Sequence, residues 1–407
     1  MGKLRIYFKP IWYNIMHHKA YAGFCVFGTM LTFVFITILL QVTNVIVGNT
    51  PPTDDPERVL YINSYVYDKQ GECIGCCRRE DVASIMSNVV GYDCYACTHF
   101  ELGNILVNGQ YIDNGAEYVE PNYWNVLQYH FVQGRSWEEE ESHQPYAIVN
   151  KSFAERYFAT DDVLGKEIEF QETTYKILGV VADVSMFSIE GRVSVWLPEH
   201  FNEYISTGSR FVETYVLFPE DVSVEIMKRN LKHGFDIWTR MQNWDNVRVR
   251  EFSTLKEVSI NMNGGDLLLM GLGGILFILL IIPLLNIILL SMANNSVQAS
   301  EIGLRRALGA NRFTAFMAIL SENLVLILIG TLGGIILVTP VCRYIDGLFF
   351  MDSIVGRSMV LPEIDWMIVL LIVLPLSVLF SLVSGGIPAY LNVKRSIVDM
   401  LKGGSKC

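Results

Sequence analysis

Nowhere in this chain does the pattern G-x-x-x-x-G-K-[ST] occur, and without it there is no glycine-rich cradle for nucleotide phosphates. The nearest approach, Gly165-Lys166, has Thr160 where the first glycine belongs and Glu167 where the metal-binding hydroxyl belongs. Ser384-Gly385-Gly386 stands at the end of an apolar run, where small residues serve helix packing. Any ATP hydrolysis must therefore come from a partner. In residues 110–200 no motif gathers His, Asp and Ser or pairs carboxylates for acid–base work, and no cofactor is expected. The run 138–141 (EEEE) reads as a solvated acidic surface rather than a cation site. Charge is sparse as well: 18% charged against 51% hydrophobic residues is too apolar for an ordinary soluble protein of 407 residues. Residues 49–265 hold 18 Lys or Arg against 34 Asp or Glu, a balance of −16 in a chain of net charge −11. Nucleic acid is thereby excluded as a partner of that segment.

The hydrophobicity is concentrated in four runs, 21–47, 266–292, 316–345 and 366–389. Each is long enough to cross a hydrocarbon core, which takes about 20 helical residues. The first exceeds a signal-peptide core and lacks a small-residue cleavage site before Asn49, so it reads as a retained anchor. Residues 1–20 carry four Lys or Arg and no acid, 293–315 carries three and the tail 390–407 carries four. By the positive-inside rule these three segments are cytoplasmic, both termini included, while 49–265 and the loop 346–365 lie outside.

The outer segment is large enough for a sizeable core or two small domains. Residues 58–67 alternate like a strand, 79–89 have helical spacing and 92–107 are rich in strand formers. The order recurs as strand 211–218, helix 222–241 and strand 247–252. Between these two strand-helix-strand units, 110–200 reads as an inserted subdomain, with a strand at 147–150, a helix at 151–158 that puts Phe153 and Tyr157 on one face, and a strand at 175–184. The expected fold is thus membrane α-helical with four spans and a large α+β outer domain.

The most informative stretch is 301–312 (EIGLRRALGANR), polar and glycine-punctuated between two apolar runs. Glu301 and Arg305 are four apart and pair on one helical face, while Gly303 and Gly309 loosen the helix and admit a close neighbour. With Ser321-Glu322-Asn323 after it, this stretch resembles the cytoplasmic signature of FtsX/MacB-type permeases of ABC transporters. The segments 118–127 (YVEPNYWNVL), 131–135 (FVQGR), 147–158 (AIVNKSFAERYF), 164–166 (LGK) and 177–183 (ILGVVAD) resemble the MacB-like periplasmic core domain, and 387–389 with 397–401 is similar to that family's ending. The resemblance implies a half-transporter without a fused ATPase, in a bacterial inner membrane and in contact with membrane lipid. It would pair with a second permease, identical or paralogous, with two copies of an ABC ATPase subunit, and with a periplasmic or outer-membrane partner where one exists. It implies mechanotransmission, in which ATP-driven closure of the ATPases rearranges outer domains to export lipoproteins, peptides or amphiphiles. The alternative is an FtsX-like regulator that switches an extracytoplasmic hydrolase. The ATPase contact would fall on Glu301, Ile302, Gly303, Arg305, Arg306, Ala307, Gly309, Ala310 and Arg312, with Glu322 behind them. Where family members often place Arg just before the Glu, this chain has Gln298, Ala299 and Ser300.

Glu322 lies just inside the third run, where a carboxylate either pairs, here with Arg305, Arg306 or Arg312, or reaches for the interface. Gly330 with Gly334, and Ser381 with Gly385, form small-x-x-x-small pairs that suit close helix crossing. The resemblance does not account for Cys73, Cys76, Cys77, Cys94 and Cys97. Their spacing fits a four-thiolate metal site, but an exterior location favours disulfides, and Cys94 and Cys97 on a regular strand would point to opposite faces. Disulfides, reduced thiols and a metal all stand as readings. Cys25, Cys342 and Cys407 are expected to be free.

Overall fold

The computed structural model describes residue 13 and residues 16–394, except 48–51, 54, 64, 159–161, 186, 189–190, 192, 203–211, 245–246, 249–251, 298–302, 304–305, 308–310, 350–359 and 362. Helix α1 (Lys19–Val47) is followed by strands β1 (Val59–Ile62), β2 (Tyr65–Asp68) and β3 (Cys73–Cys76), helix α2 (Arg79–Met86), the hairpin β4 (Cys94–Val107) and β5 (Gln110–Val119), the single turn α3 (Tyr123–Val126) and β6 (Phe131–Gly134). Next come β7 (Tyr146–Asn150), α4 (Lys151–Phe158), β8 (Glu167–Phe170), β9 (Thr173–Val181), β10 (Val195–Pro198) and β11 (Glu213–Leu217). Helix α5 (Val224–Met241), β12 (Val247–Arg248), β13 (Ser253–Thr254) and α6 (Leu255–Met262) lead to three long helices, α7 (Gly265–Val297), α8 (Arg312–Phe349) and α9 (Trp366–Lys394). The chain divides into a helical unit (1–41, 269–342, 363–407) and a sheet unit (42–268, 343–362).

In the sheet unit, one ten-stranded sheet takes in β1 and β4 of the first strand-helix-strand unit and β11 of the second, whereas the strand expected over 247–252 is β12, paired with β2 in a separate sheet, and β13 after it joins β1. The units interlock: β11 lies between β1 and β4, and β13 borders β1, all antiparallel. Numbered by chain order, these four strands run 4-1-3-2, the arrangement of a split β-α-β. Helix α5 buries Met227, Leu231, Phe235 and Trp238, three or four residues apart, so one apolar stripe faces the core while the charged face meets water. The same core takes in Val82, Ile85 and Met86 of α2. The opposite face of the sheet carries an aromatic core of Tyr123, Trp124, Tyr129, Trp137, Trp196 and Tyr215.

The inserted part extends this sheet instead of standing apart. Strand β4 pairs with β11 over Cys94–Thr98 and with β5 from Thr98 to Val107, after which β10, β7, β9 and β6 follow in order. Asn108 (φ 49°) and Gly109 (φ 77°) form the tight β4–β5 turn, and two successive left-handed residues match the twist of the strands they join. The stretch expected as one strand over 58–67 is two, because the Asn63 side chain accepts from the Tyr65 backbone N–H at 3.1 Å and turns the chain. Its second half joins β3 and β12 in a separate three-stranded sheet.

In the helical unit, the helices of all four expected spans are long and apolar enough to cross a membrane. Helices α1 and α8 touch through glycine: a Cβ at Gly330 would lie 2.7 Å from Thr29 Cβ, and one at Gly334 would lie 2.9 Å from the Met30 carbonyl oxygen. Backbones this close have room for no side chain. The hydroxyls of Thr32 and Thr37 donate to the Gly28 and Phe33 carbonyls one turn back, at 2.8 and 2.6 Å, which satisfies them without a partner helix. Gln41 binds the start of α9 twice, donating to the Asp365 carbonyl at 2.9 Å and accepting its N–H at 3.1 Å. Just beyond, Val369–Val373 forms a π-helical turn whose Val369 and Val373 enter the bundle core.

Candidate coupling site

Of the inner segment, Gly303, Arg306 and Ala307 lie among the described residues and are helical; Gly303 and Arg306 are buried and Ala307 is exposed. Glu301, Ile302, Arg305, Gly309 and Ala310 lie outside the described residues. Arg306 donates from Nη1 to the Val393 carbonyl of α9 at 3.2 Å. Arg306 therefore holds the segment to the bundle, while Ala307 and Arg312, the exposed first residue of α8, face outward.

Glu322 and Asn323, adjacent in sequence, face different helices. Glu322 lies within electrostatic reach of Tyr21 and Cys25 on α1. Asn323 is buried and donates to the Ser384 hydroxyl at 2.9 Å and the Ser381 carbonyl at 3.3 Å, stitching α8 to α9. The small residues at 381–385 thus serve as a seat for Asn323.

Two polar junctions organise the sheet unit. Ser185 donates to the Val360 carbonyl at 2.7 Å, and the Val360 N–H donates to buried Asp346 at 2.9 Å. Two residues on, the Phe187 carbonyl accepts from Asn263 at 2.7 Å and Ser259 at 3.3 Å. The turn after β9 is thereby gripped both by the stem entering α7 and by the loop leaving α8. At the second junction, Arg79 of α2 bridges two carboxylates, Glu120 at 2.7 Å and Glu199 at 2.8 Å, while the other Glu120 oxygen accepts the Cys97 N–H at 2.8 Å. Burial, then the adjacent Glu120 charge, pushes Glu199 up to about 8. Glu120 belongs to the 118–127 motif, but its partner is 41 residues away and no spacing rule reveals it. Asp183 of the 177–183 motif accepts the Ser152 N–H and hydroxyl at 2.9 and 2.8 Å. It thus caps the start of α4, and burial raises its pKa.

The cysteines are not assembled. Cys73, Cys76, Cys77, Cys94 and Cys97 are free thiols, and no group of three His, Cys, Asp or Glu among the described residues could hold a metal. The expected disulfide or metal site is therefore not formed in this structure. The reason lies in the strands: Cys97 is buried in the helix-covered core and bonds Thr214 at 3.6 Å, whereas Cys94 packs on the opposite, aromatic core. Cys73 stands exposed on β3 and Cys77 is buried under α2. Burial pushes the Cys77 thiol up to about 12. In the run 138–141, Glu141 makes a bidentate pair with Arg135 at 2.6 and 2.7 Å, and this bond holds its carboxyl down at about 2.

Residues 26–233 match the model of the MacB-like periplasmic core domain, and residues 273–397 match the FtsX-like permease C-terminal domain. The chain belongs to the MacB/FtsX-like permease family. Relatives include the macrolide export ATP-binding/permease proteins MacB of Aggregatibacter actinomycetemcomitans (25% identical over 219 residues, 53% of this chain and 33% of that protein) and Pasteurella multocida (26% over 254 residues, 58% and 36%). This MacB/FtsX-like chain spans about a third of the length of these curated relatives. Among solved structures, it is similar to the periplasmic region of MacB from Actinobacillus actinomycetemcomitans (14% identity, TM-score 0.40, covering 51% of this chain and 94% of that one). Another is the extracellular domain of the noncanonic ABC-type transporter YknZ from Gram-positive bacteria (13%, TM-score 0.37, 48% and 98%).

Proposed function

We propose that this chain is the permease subunit of an ABC transporter of mechanotransmission type, oriented with both termini and residues 293–315 in the cytoplasm and the sheet unit in the periplasm. A separate ATPase, present in two copies, docks on the inner segment, and a second permease completes the pair. Nucleotide-driven closure moves the segment, tilts the spans and rearranges the sheet units to expel lipoprotein, peptide or amphiphile from the periplasmic side. The observation that carries this reading is the anchoring of buried Arg306 on the Val393 carbonyl of α9, next to exposed Ala307. A push on that exposed face reaches the bundle through a buried bond instead of dissipating in a loop. Coupling of this kind is reciprocal: a load on the sheet unit changes turnover by the ATPase.

The test is co-purification and turnover in detergent or nanodiscs. The protein should bring down a small ATPase subunit, and Ala307→Trp should abolish its response to cargo while leaving expression intact. Absence of any ATPase in the complex, or labelling of a cysteine at position 307 by an impermeant reagent from outside, removes the proposal.

A further inference from the structure

A cavity of about 490 Å³ opens in the sheet unit between the β1–β2 junction, the start of β11, β13 and α6. That size is within the range of pockets that enclose small organic molecules. Its walls include the rings of Tyr61, Tyr65, Phe235 and Phe252, the last two buried with centroids 6.0 Å apart. Into these walls is set one carboxylate, Glu213, the first residue of β11, whose oxygen accepts the Tyr61 hydroxyl. No Lys, Arg or His is among the described lining residues. Asn63, Ser253 and Asn261 add neutral polar groups to the lining; a largely buried carboxylate with only neutral groups among its described neighbours in the wall is costly to ionise, and an incoming cation compensates that cost. The surrounding aromatic faces attract a cation by their quadrupoles and cover its apolar substituents.

We infer that this cavity is a binding site for a small organic ammonium carried on an apolar body, with Glu213 as its counter-ion and the Phe235 and Phe252 rings as its apolar wall. Burial raises the Glu213 pKa above the ordinary carboxylate range. Ammonium affinity therefore grows as pH rises through that raised value and falls on acidification. Asn261 and Met262 also line the cavity and are among the last residues before α7, so an occupied cavity bears on the stem through which the chain enters its second span. The inference concerns binding alone and needs neither ATPase nor nucleotide, so it stands apart from the proposed transport function.

Equilibrium binding to the full-length protein in nanodiscs would use 4-phenylbutylamine and its uncharged counterpart 4-phenylbutan-1-ol as probes. At pH 8 the amine should bind at least tenfold more tightly than the alcohol, and the gap should narrow at pH 5.5. Glu213→Gln should close the gap, Glu213→Asp should keep most of it, and Val258→Trp, which fills the cavity, should weaken both probes. Equal affinity of amine and alcohol for the wild type overturns the inference without reference to any variant. So does a gap that survives Glu213→Gln. Competition by phosphatidylethanolamine in the disc assigns the ammonium to a lipid headgroup, and lack of competition assigns it to a soluble amine; either result keeps the site.

Discussion

Replacing Arg79 with Met should destabilise the sheet unit more in alkaline than in acidic solution. Its guanidinium is half-exposed, but the Glu120 and Glu199 side chains it bridges are only 11% and 12% exposed. Each charge-assisted hydrogen bond is worth about 1.5–3 kcal/mol, and the guanidinium's exposure argues for the lower end because water screens it. Above the Glu199 pKa of about 8 that carboxylate is ionised and both bonds to the guanidinium are charge-assisted, and the variant should lose about 2–3 kcal/mol. At pH 6 Glu199 carries a proton, and the loss shrinks to the Glu120 bond, about 1–1.5 kcal/mol. The wild type has a slope of its own. Folding raises the Glu199 pKa from 4.5 to about 8, so the folded protein holds this proton more tightly than the unfolded chain, and this group's contribution to stability falls as pH climbs through that window. Tryptophan fluorescence followed through denaturant unfolding of the intact protein in detergent reports the unit, because Trp124, Trp137, Trp196 and Trp238 are buried in its two cores. An Arg79→Met deficit that is equal at pH 6 and pH 9, or absent at both, refutes the reasoning.

Gly334→Leu should cost about 1–3 kcal/mol, since the α1 backbone stands where its Cβ must go. Gly273→Ala, with nothing within 4 Å, should be neutral, and a lowered melting temperature for both would remove the α1–α8 crossing as the cause. Asn263→Leu should lower stability by about 1 kcal/mol and increase amide exchange around 185–188, because Phe187 loses its closest side-chain donor; unchanged exchange there would dismiss the junction. Alkylation at pH 8 should modify exposed Cys73 first and reach Cys77 and Cys97 only on unfolding, since both are buried and burial raises both thiols. Rapid native-state modification of Cys97 would contradict its placement.

How far the chain could be read in advance depended on whether a feature was local. The four spans announce themselves by length and hydropathy, and helices α2 and α5 by helical spacing, because those signals lie within one element, whereas alternation alone did not show that 58–67 and 247–252 divide between two sheets. The motif 147–158 likewise becomes β7 and α4, with Phe153 and Tyr157 in contact at 4.8 Å. What escaped was pairwise and distant: Arg79 with Glu120 and Glu199, and Ser185 with Val360 and Asp346, join residues 41 to 175 positions apart. The opposite facing of Cys94 and Cys97 was legible from their odd offset on a strand, but where Cys73 and Cys77 would lie was not, because that depends on the separate sheet and on α2. In the stretch 301–312, a string of basic residues could not say which would be buried; among the described residues, the contact with Val393 marks Arg306.

Strand β4 deserves a mechanical reading. At 14 residues it is about 45 Å long, and it is hydrogen-bonded to β11 at one end and to β5 over ten register pairs at the other. A pull along its axis loads those pairs together in shear, whereas a peeling force would open them one at a time. The strand therefore acts as a girder: the split β-α-β end of the sheet and its far hairpin are displaced as one piece, and any bending must be taken up in segments that β4 does not span.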